Sequence, residues 1–154
     1  MALDSRPAFC RRLRDLFSSG PDRPDFCAEH DMQRHIFSSG ETIFRQNAPS
    51  DAAYLIVDGE VEILRQGADG NEKLLDVLGR GSYFGEMGVI DDQPRSASAR
   101  ARGPLVCMSV TREEFMDMLM NNPQASIDLL KVLFGRLRRT SAKLARLQRS
   151  TFAR

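Results

Sequence analysis

The sequence contains little of what metal and nucleophile chemistry needs. Of 154 residues only two are histidines, His30 and His35. Both precede the strand-rich part of the chain and have no acidic residue at a matching ligand spacing, which disfavours a histidine-based metal enzyme. No Ser, His and Asp set typical of a hydrolase is present. We therefore expect a protein that is not an enzyme and has no structural metal.

Cysteine and long apolar runs are also scarce. The three cysteines, Cys10, Cys27 and Cys107, form no CxxC pair and are odd in number, which favours free thiols in a reducing compartment. The N-terminal segment lacks the apolar run of a signal peptide, and no later segment approaches membrane-spanning length. The expected location is cytoplasmic, with no membrane span.

The formal net charge is only +1, but the charge is unevenly distributed. From Gln124 to Arg154 there are eight basic residues and one acidic residue, a local charge of +7. A solvated helix face is the commonest explanation, and nucleic acid or an acidic membrane are the alternatives. We expect only weak, salt-sensitive and sequence-independent retention of DNA.

Short strand-like runs separated by turn signals extend from His35 to Val110, without a sustained helical period. Asp58-Gly59 lies between two β-rich runs and predicts a tight hairpin. Further turns are predicted at Ala68 to Asn71 and around Gly79 and Gly81. The predicted fold is mainly β with helices: an antiparallel β-roll, jelly-roll-like, with a short helix within it and a long C-terminal helix.

Helix signals begin after Val110. Thr111 and Glu114 have the spacing of a capping box, and Asn122-Pro123 has the residues of a cap followed by the first helical position. Apolar positions then recur in steps of three and four, as in a dimerisation helix. This seam consists of Ile127, Leu130, Phe134, Leu137, Ser141, Leu144 and Gln148.

Three regions follow from these patterns. Residues 1–25 contain a glycine and two prolines within 18–25 and are predicted to be an N-terminal arm, a candidate segment for binding a partner. Residues 26–122 are predicted to form the β-roll. Residues 123–154 are predicted to form the C-terminal dimerisation helix.

The stretch FGEMGVIDDQPRSASARA, from Phe84 to Ala101, has the residues that a small anionic sugar phosphate needs. Gly85 permits close backbone approach, and the segment after it can form one helical turn with N-H groups directed at negative charge. Arg95 offers a forked cationic donor and Ser96 a hydroxyl. Glu86 only accepts, so its natural partner is a sugar hydroxyl. The alternative is a surface ion pair between Glu86 and Arg95, with no ligand.

This stretch resembles the phosphate-binding cassette of cyclic nucleotide-binding domains, whose pattern is FGE, a short apolar helix, and PR followed by small residues. The matching segments are Phe84 to Gly88, Pro94 to Ser98, and Ala101. The span from about His35 to Ser150 is similar to the sensory half of the bacterial cAMP receptor protein and its relatives.

The resemblance implies roles for individual residues of the cassette. Glu86 would accept from the ribose 2′-hydroxyl, and Arg95 would bind the exocyclic phosphate oxygens. The phosphate site would be completed by the Ser96 hydroxyl and by the backbone of three residues, Gly85, Met87 and Ala97.

The resemblance also implies contacts with the base. On the long helix, Thr140 and Ser141 match two positions that contact adenine, the serine reaching across from the partner subunit. Their alternative role is a polar break that sets the register of the dimer seam. Ile63 and Leu75 are candidates for the apolar walls around the base.

The expected function is therefore a cyclic nucleotide sensor, with cAMP as the ligand, that signals by conformational change to an effector protein whose identity stays open. The alternatives are a cGMP-binding regulator and a nucleotide-free dimerisation module of the same fold. Related DNA-binding receptors continue into a helix-turn-helix domain, whereas this sequence stops at Arg154, so sequence-specific DNA binding is not expected.

Overall fold

The computed structural model describes residues 32–151. The predicted N-terminal arm, residues 26–31 and residues 152–154 lie outside the described residues. The chain divides between Phe115 and Met116 into two compact units, and each is described by itself below. The predicted division into residues 26–122 and 123–154 stays a prediction.

The first unit is built from two antiparallel sheets of four strands each. The first sheet has the strand order β1-β8-β3-β6, and the second has the order β2-β7-β4-β5. The prediction of an antiparallel β-roll is confirmed. The strands are β1 (Gln33–Phe37), β2 (Thr42–Phe44), β3 (Ala52–Asp58), β4 (Val61–Gln66), β5 (Glu72–Leu78), β6 (Tyr83–Phe84), β7 (Ser98–Ala101) and β8 (Leu105–Thr111).

The core lies between the two sheets and receives side chains from both. Alternation along each strand directs every second side chain inward, so each sheet presents one apolar face. Two of the inward residues of β7 are alanines, Ala99 and Ala101, and their small size lets the larger side chains of the opposite sheet approach closely. The buried cluster consists of Ile56, Val61, Leu78, Phe84, Ala99, Ala101, Leu105 and Cys107.

The prediction of a hairpin at Asp58-Gly59 is wrong. β3 pairs with β6 and β8, whereas β4 pairs with β5 and β7, so this turn carries the chain from one sheet to the other. A two-residue type I′ turn needs positive φ at both central residues, but only Gly59 has one, at 94°. A Cβ atom on Gly59 would collide with the carbonyl oxygen of Pro104, so the sheet-crossing turn requires glycine.

The two other predicted turns are confirmed. The loop between β4 and β5 is closed by a hydrogen bond from the Gly67 amide to the Asn71 carbonyl at 2.9 Å, and Gly70 has a positive φ of 78°. Between β5 and β6, Gly81 has a positive φ of 81°, and the Ser82 amide donates to the Gly79 carbonyl at 3.1 Å.

Three helices follow the predicted boundaries: α1 (Glu86–Asp91), α2 (Arg112–Asn121) and α3 (Pro123–Thr151). The capping box is confirmed, because the Thr111 amide donates to the Glu114 carboxylate at 2.9 Å and the Glu114 amide donates to the Thr111 hydroxyl at 3.3 Å. The Asn122 cap is confirmed as well, since its side-chain oxygen accepts from the Ala125 amide at 3.1 Å.

The second unit consists mainly of α3, a single helix of 29 residues. The apolar residues of the predicted seam lie on its surface and are 47–61% exposed: Ile127, Leu130, Phe134, Leu137 and Leu144. An apolar stripe of this extent on a helix indicates a face that can bury itself against another surface. Among the described helices, none has the length and apolar character to cross a membrane.

Candidate functional site

The segment that carries the predicted chemistry joins the two sheets. It leaves the first sheet at the end of β6, forms α1, and enters the second sheet at β7. Gly85 precedes α1 with a left-handed φ of 73°, and Asp92 ends the helix with a left-handed φ of 58°. The predicted helical turn after Gly85 is confirmed, and we call residues 85–97 the cassette.

The Arg95 side chain points into the protein and is only 3% exposed. Its guanidinium donates from Nη1 to the Gly85 carbonyl at 2.6 Å and from Nη2 to the Ala52 carbonyl at 2.7 Å. Nη2 also lies 3.3 Å from the Asp51 carboxylate, whose side chain is 84% exposed. These bonds hold the far end of the cassette against both its own beginning and the start of β3.

An aromatic cluster lies beneath this guanidinium. The Cζ atom of Arg95 is 4.1 Å from the centroid of the Phe44 ring and 5.9 Å from that of Tyr54. The Phe44 and Tyr54 rings contact each other and also Phe84, with centroid separations of 5.1–5.9 Å. The nitrogens of Arg95 thus meet oxygens at the edge of the guanidinium, while one face of the guanidinium lies on an aromatic ring.

Burial changes the electrostatics of this site. It lowers the pKa of Arg95, and the nearby Tyr54, Asp51 and Glu86 oppose that effect. Burial also raises the pKa of Tyr54, with the Asp51 charge adding to the rise. Arginine nevertheless stays protonated at neutral pH, since its ordinary pKa lies far above that range. A cation in a partly desolvated position attracts an anion more strongly than the same cation in water.

Glu86 is the first residue of α1 and is 1% exposed. Both Glu86 and Arg95 are buried, so they do not form an ion pair on the surface; that the cassette holds a ligand stays a prediction. Gly88, in the same helix, packs so closely that a Cβ atom would collide with the Ser50 hydroxyl and the Gln93 carbonyl. The helix is thus fixed against the loop before β3, and Glu86 is fixed with it.

The remaining predicted cassette residues lie around this pair. Met87 is 54% exposed, Ser96 is exposed and Ala97 is buried. The backbone of Arg95 is held from the opposite loop, because its carbonyl accepts from the Asn47 amide at 2.8 Å and its amide donates to the Ala48 carbonyl at 2.9 Å. The cassette residues predicted from sequence are therefore brought together.

The predicted base contacts belong to elements other than the cassette. Ile63 pairs with Ala99 of β7, and Leu75 lies in the neighbouring strand β5, 46% exposed, where the register between β4 and β5 shifts. Thr140 and Ser141 are exposed on α3, in the second unit. The roles of these four residues toward the base stay predictions.

Sequence reasoning missed the residues that hold Arg95 in place. Asp51 and Ala52 precede Arg95 by about 44 positions, and Phe44 comes from a third segment. The only local signal was the pair of adjacent apolar residues in the short strand β2, Ile43 and Phe44, which breaks the alternation of a regular strand. Among residues 32–151, no three or more His, Cys, Asp or Glu residues group as metal ligands would.

The fold and the site together define a β-roll domain whose cassette joins the two sheets and carries one buried arginine. Comparison with known families makes this specific. Residues 34–122 match the cyclic nucleotide-binding domain family, and the chain belongs to that family.

Individual relatives agree with this assignment. A CRP-like cAMP-activated global transcriptional regulator of Mycobacterium tuberculosis is 38% identical over 114 residues, covering 74% of this chain and 51% of the relative. The catabolite activator protein of Thermus thermophilus has a crystal structure that superposes with a TM-score of 0.68 at 33% identity, covering 76% of this chain and 55% of that one. The chain spans about half the length of each of these two relatives.

A third comparison concerns the fold alone. A cyclic nucleotide-binding domain from Methylobacillus flagellatus superposes with a TM-score of 0.76 at 23% identity, covering 90% of this chain and 83% of that one. The family assignment of this chain rests on the match of residues 34–122 to the cyclic nucleotide-binding domain.

Proposed function

We propose that this protein is a cytoplasmic cyclic nucleotide sensor that binds cAMP in the cassette and passes ligand occupancy to a partner protein by conformational change. The observation that carries the proposal is the buried guanidinium of Arg95, bound to the carbonyl of Gly85 at the other end of the cassette. A structural loop has little need for a desolvated cation, whose burial costs several kcal/mol. A site for a phosphate anion gains affinity from such a cation, because the two charges attract each other and the guanidinium donates to the phosphate oxygens.

The roles of the cassette residues follow from their chemistry. Arg95 would donate to the exocyclic phosphate oxygens, because it is the cation of the cassette and offers a planar fork. Glu86 would accept from the ribose 2′-hydroxyl, since a carboxylate can only accept and repels phosphate. The exposed Ser96 hydroxyl and the backbone of the cassette would donate to the remaining phosphate oxygen.

The carboxylate of Asp51 would compete with a ligand phosphate for Arg95. The Asp51 carboxylate is 3.3 Å from Nη2 of Arg95 and is largely solvent-exposed, so water screens the attraction between the two charges. A ligand phosphate that accepts a hydrogen bond from the same guanidinium nitrogen would displace the Asp51 carboxylate at little cost. The proposed binding event therefore loosens one contact between the cassette and the start of β3.

Signalling would use the long helix. A nucleotide that contacts both the cassette and Thr140 or Ser141 favours the arrangement of α3 that brings these groups together. The available energy is the difference in the ligand's affinity for the two arrangements. The exposed apolar stripe of α3 supports a homodimer through this helix, with a second copy covering Leu130, Phe134 and Leu137.

The proposal is tested by calorimetric titration of the purified chain with cAMP, cGMP and 5′-AMP. We expect a measurable affinity for cAMP, a weaker one for cGMP, and no binding of the open-chain phosphate. Thermal unfolding with increasing cAMP provides a second measurement, since a ligand that binds only the folded state raises the melting temperature with its concentration. No heat and no shift with either cyclic nucleotide would favour the alternative of a nucleotide-free dimerisation module.

A further inference from the structure

A bulge in β2 places Phe44 beneath the cassette. The register between β2 and β7 shifts between Thr42 and Phe44, because Thr42 is opposite Arg100 while Phe44 is opposite Ala99. Ile43 and Phe44 both pack against the core cluster, although they are adjacent in a strand. A regular strand would direct one of the two outward, and a bulge is a common way of redirecting a side chain.

The ring of Phe44 is in contact with both ends of the cassette. It lies 4.1 Å from the guanidinium carbon of Arg95, measured from the ring centroid. A Cβ atom built on Gly85 would be 3.1 Å from the same ring. One side chain therefore limits where both the arginine and the glycine can lie.

The hydrogen bonds of Arg95 do not compensate its burial completely. Nε is buried and has no hydrogen-bond partner within the described residues, and the Asp51 carboxylate that pairs with Nη2 is mostly in water. The face of an aromatic ring carries a negative potential and attracts a cation more strongly where water is excluded. The oxygens around Arg95 thus stabilise its buried charge only in part, and the ring of Phe44 adds a further attraction.

We propose that Phe44 is a positioning residue for ligand binding, which acts by holding the guanidinium of Arg95 over its ring, with Nη1 directed to Gly85 and Nη2 to Ala52. This inference rests on the proposed function of the cassette. A guanidinium that is already fixed loses less conformational freedom when it binds phosphate, so the ligand binds more tightly. Replacing the ring by an aliphatic side chain leaves Arg95 in place but frees its orientation.

The test compares Phe44→Leu with the matched control Phe37→Leu. Phe37 packs against the same core cluster from β1, but its ring contact is with His35. We expect Phe44→Leu to weaken cAMP binding by about 5- to 30-fold, the range that a desolvated cation–π contact supports. Phe37→Leu should change the affinity by less than about twofold. If Phe44→Leu does not fold, Phe44→Met takes its place.

A second measurement reports on Arg95 without any ligand. The order parameter of the Nε–H bond of Arg95, whose resonance is assigned by its loss in Arg95→Lys, should be that of a fixed side chain in the wild type. It should fall in Phe44→Leu and stay unchanged in Phe37→Leu. This readout would not change if Phe44 only filled space in the core.

Three results would overturn the inference: Phe44→Leu binding as tightly as the wild type, weaker binding with an unchanged Arg95 order parameter, or an equal loss of affinity in Phe37→Leu. A wild-type protein that binds no cyclic nucleotide would refute the proposed function instead. In that case the Arg95 order parameter still shows whether Phe44 holds the guanidinium.

Discussion

Replacing Arg95 by alanine tests the site most directly. The substitution removes the donor to the carbonyls of Gly85 and Ala52, the contact with the Phe44 ring, and the only cation of the cassette on which the proposed phosphate contact depends. Removing one member of a buried, charge-assisted pair typically costs about 2–5 kcal/mol, so cAMP should bind roughly 30- to several-thousand-fold more weakly.

The free energy of unfolding should change less than the free energy of cAMP binding. Each carbonyl that loses its donor costs about 1–3 kcal/mol when it stays buried, but removing Arg95 also removes the cost of burying its charge, which is several kcal/mol. Since these effects oppose each other, we expect the free energy of unfolding to fall by only about 1–3 kcal/mol. Urea unfolding followed by circular dichroism measures this fall, and titration calorimetry measures the affinity.

Arg100→Ala is the matched control. Arg100 lies in β7, five residues beyond Arg95, and pairs on the surface with Glu62 at 3.0 Å and Glu72 at 3.1 Å. It is a cation of the same type that makes no contact with the cassette arginine, so its loss should leave cAMP affinity within about twofold. Arg95→Ala binding cAMP as tightly as the wild type would refute the assignment of the cassette as the ligand site.

Three further predictions concern other parts of the molecule. Gly85→Ala should lower the free energy of unfolding by about 1–2 kcal/mol and weaken cAMP binding, because φ is 73° and the new Cβ would lie 2.7 Å from Nη1 of Arg95. In the control Gly103→Ala the new Cβ meets open space, so neither quantity should change. Burial raises the pKa of Cys107 from 9.0 to about 12, so the folded state keeps a thiol proton that the unfolded state loses. The free energy of unfolding should therefore decline as the pH rises above 9, and urea unfolding at pH 8 and 10.5 should show a smaller decline for Cys107→Ala than for the wild type. An equal decline in the two proteins would contradict the role of the Cys107 thiol. Leu137→Glu on α3 should raise the dissociation constant of the dimer by roughly tenfold or more in analytical ultracentrifugation, and an unchanged constant would exclude this helix face as the interface.

Features stabilised by neighbours in the sequence were predictable from the sequence. The capping box at Thr111, the Asn122 cap and the turn from Ala68 to Asn71 each depend on groups within about four residues, so the local residues decide their geometry. The cassette belongs to the same class, because Gly85, α1 and Arg95 form one continuous segment. Its residues and its helical turn are therefore recognisable from the sequence alone.

Contacts between distant segments were decided only by the tertiary structure. The turn at Gly59 looked like a hairpin because its local residues suit one, but the pairing of β3 with β8 and of β4 with β7 depends on strands about 35 or more residues away. The carbonyl of Ala52, the carboxylate of Asp51 and the ring of Phe44 meet Arg95 for the same reason. The sequence by itself determined which arginine lies in the cassette. The packing of the two sheets decided that this arginine is buried on an aromatic ring, since burial depends on which segments the fold brings over it.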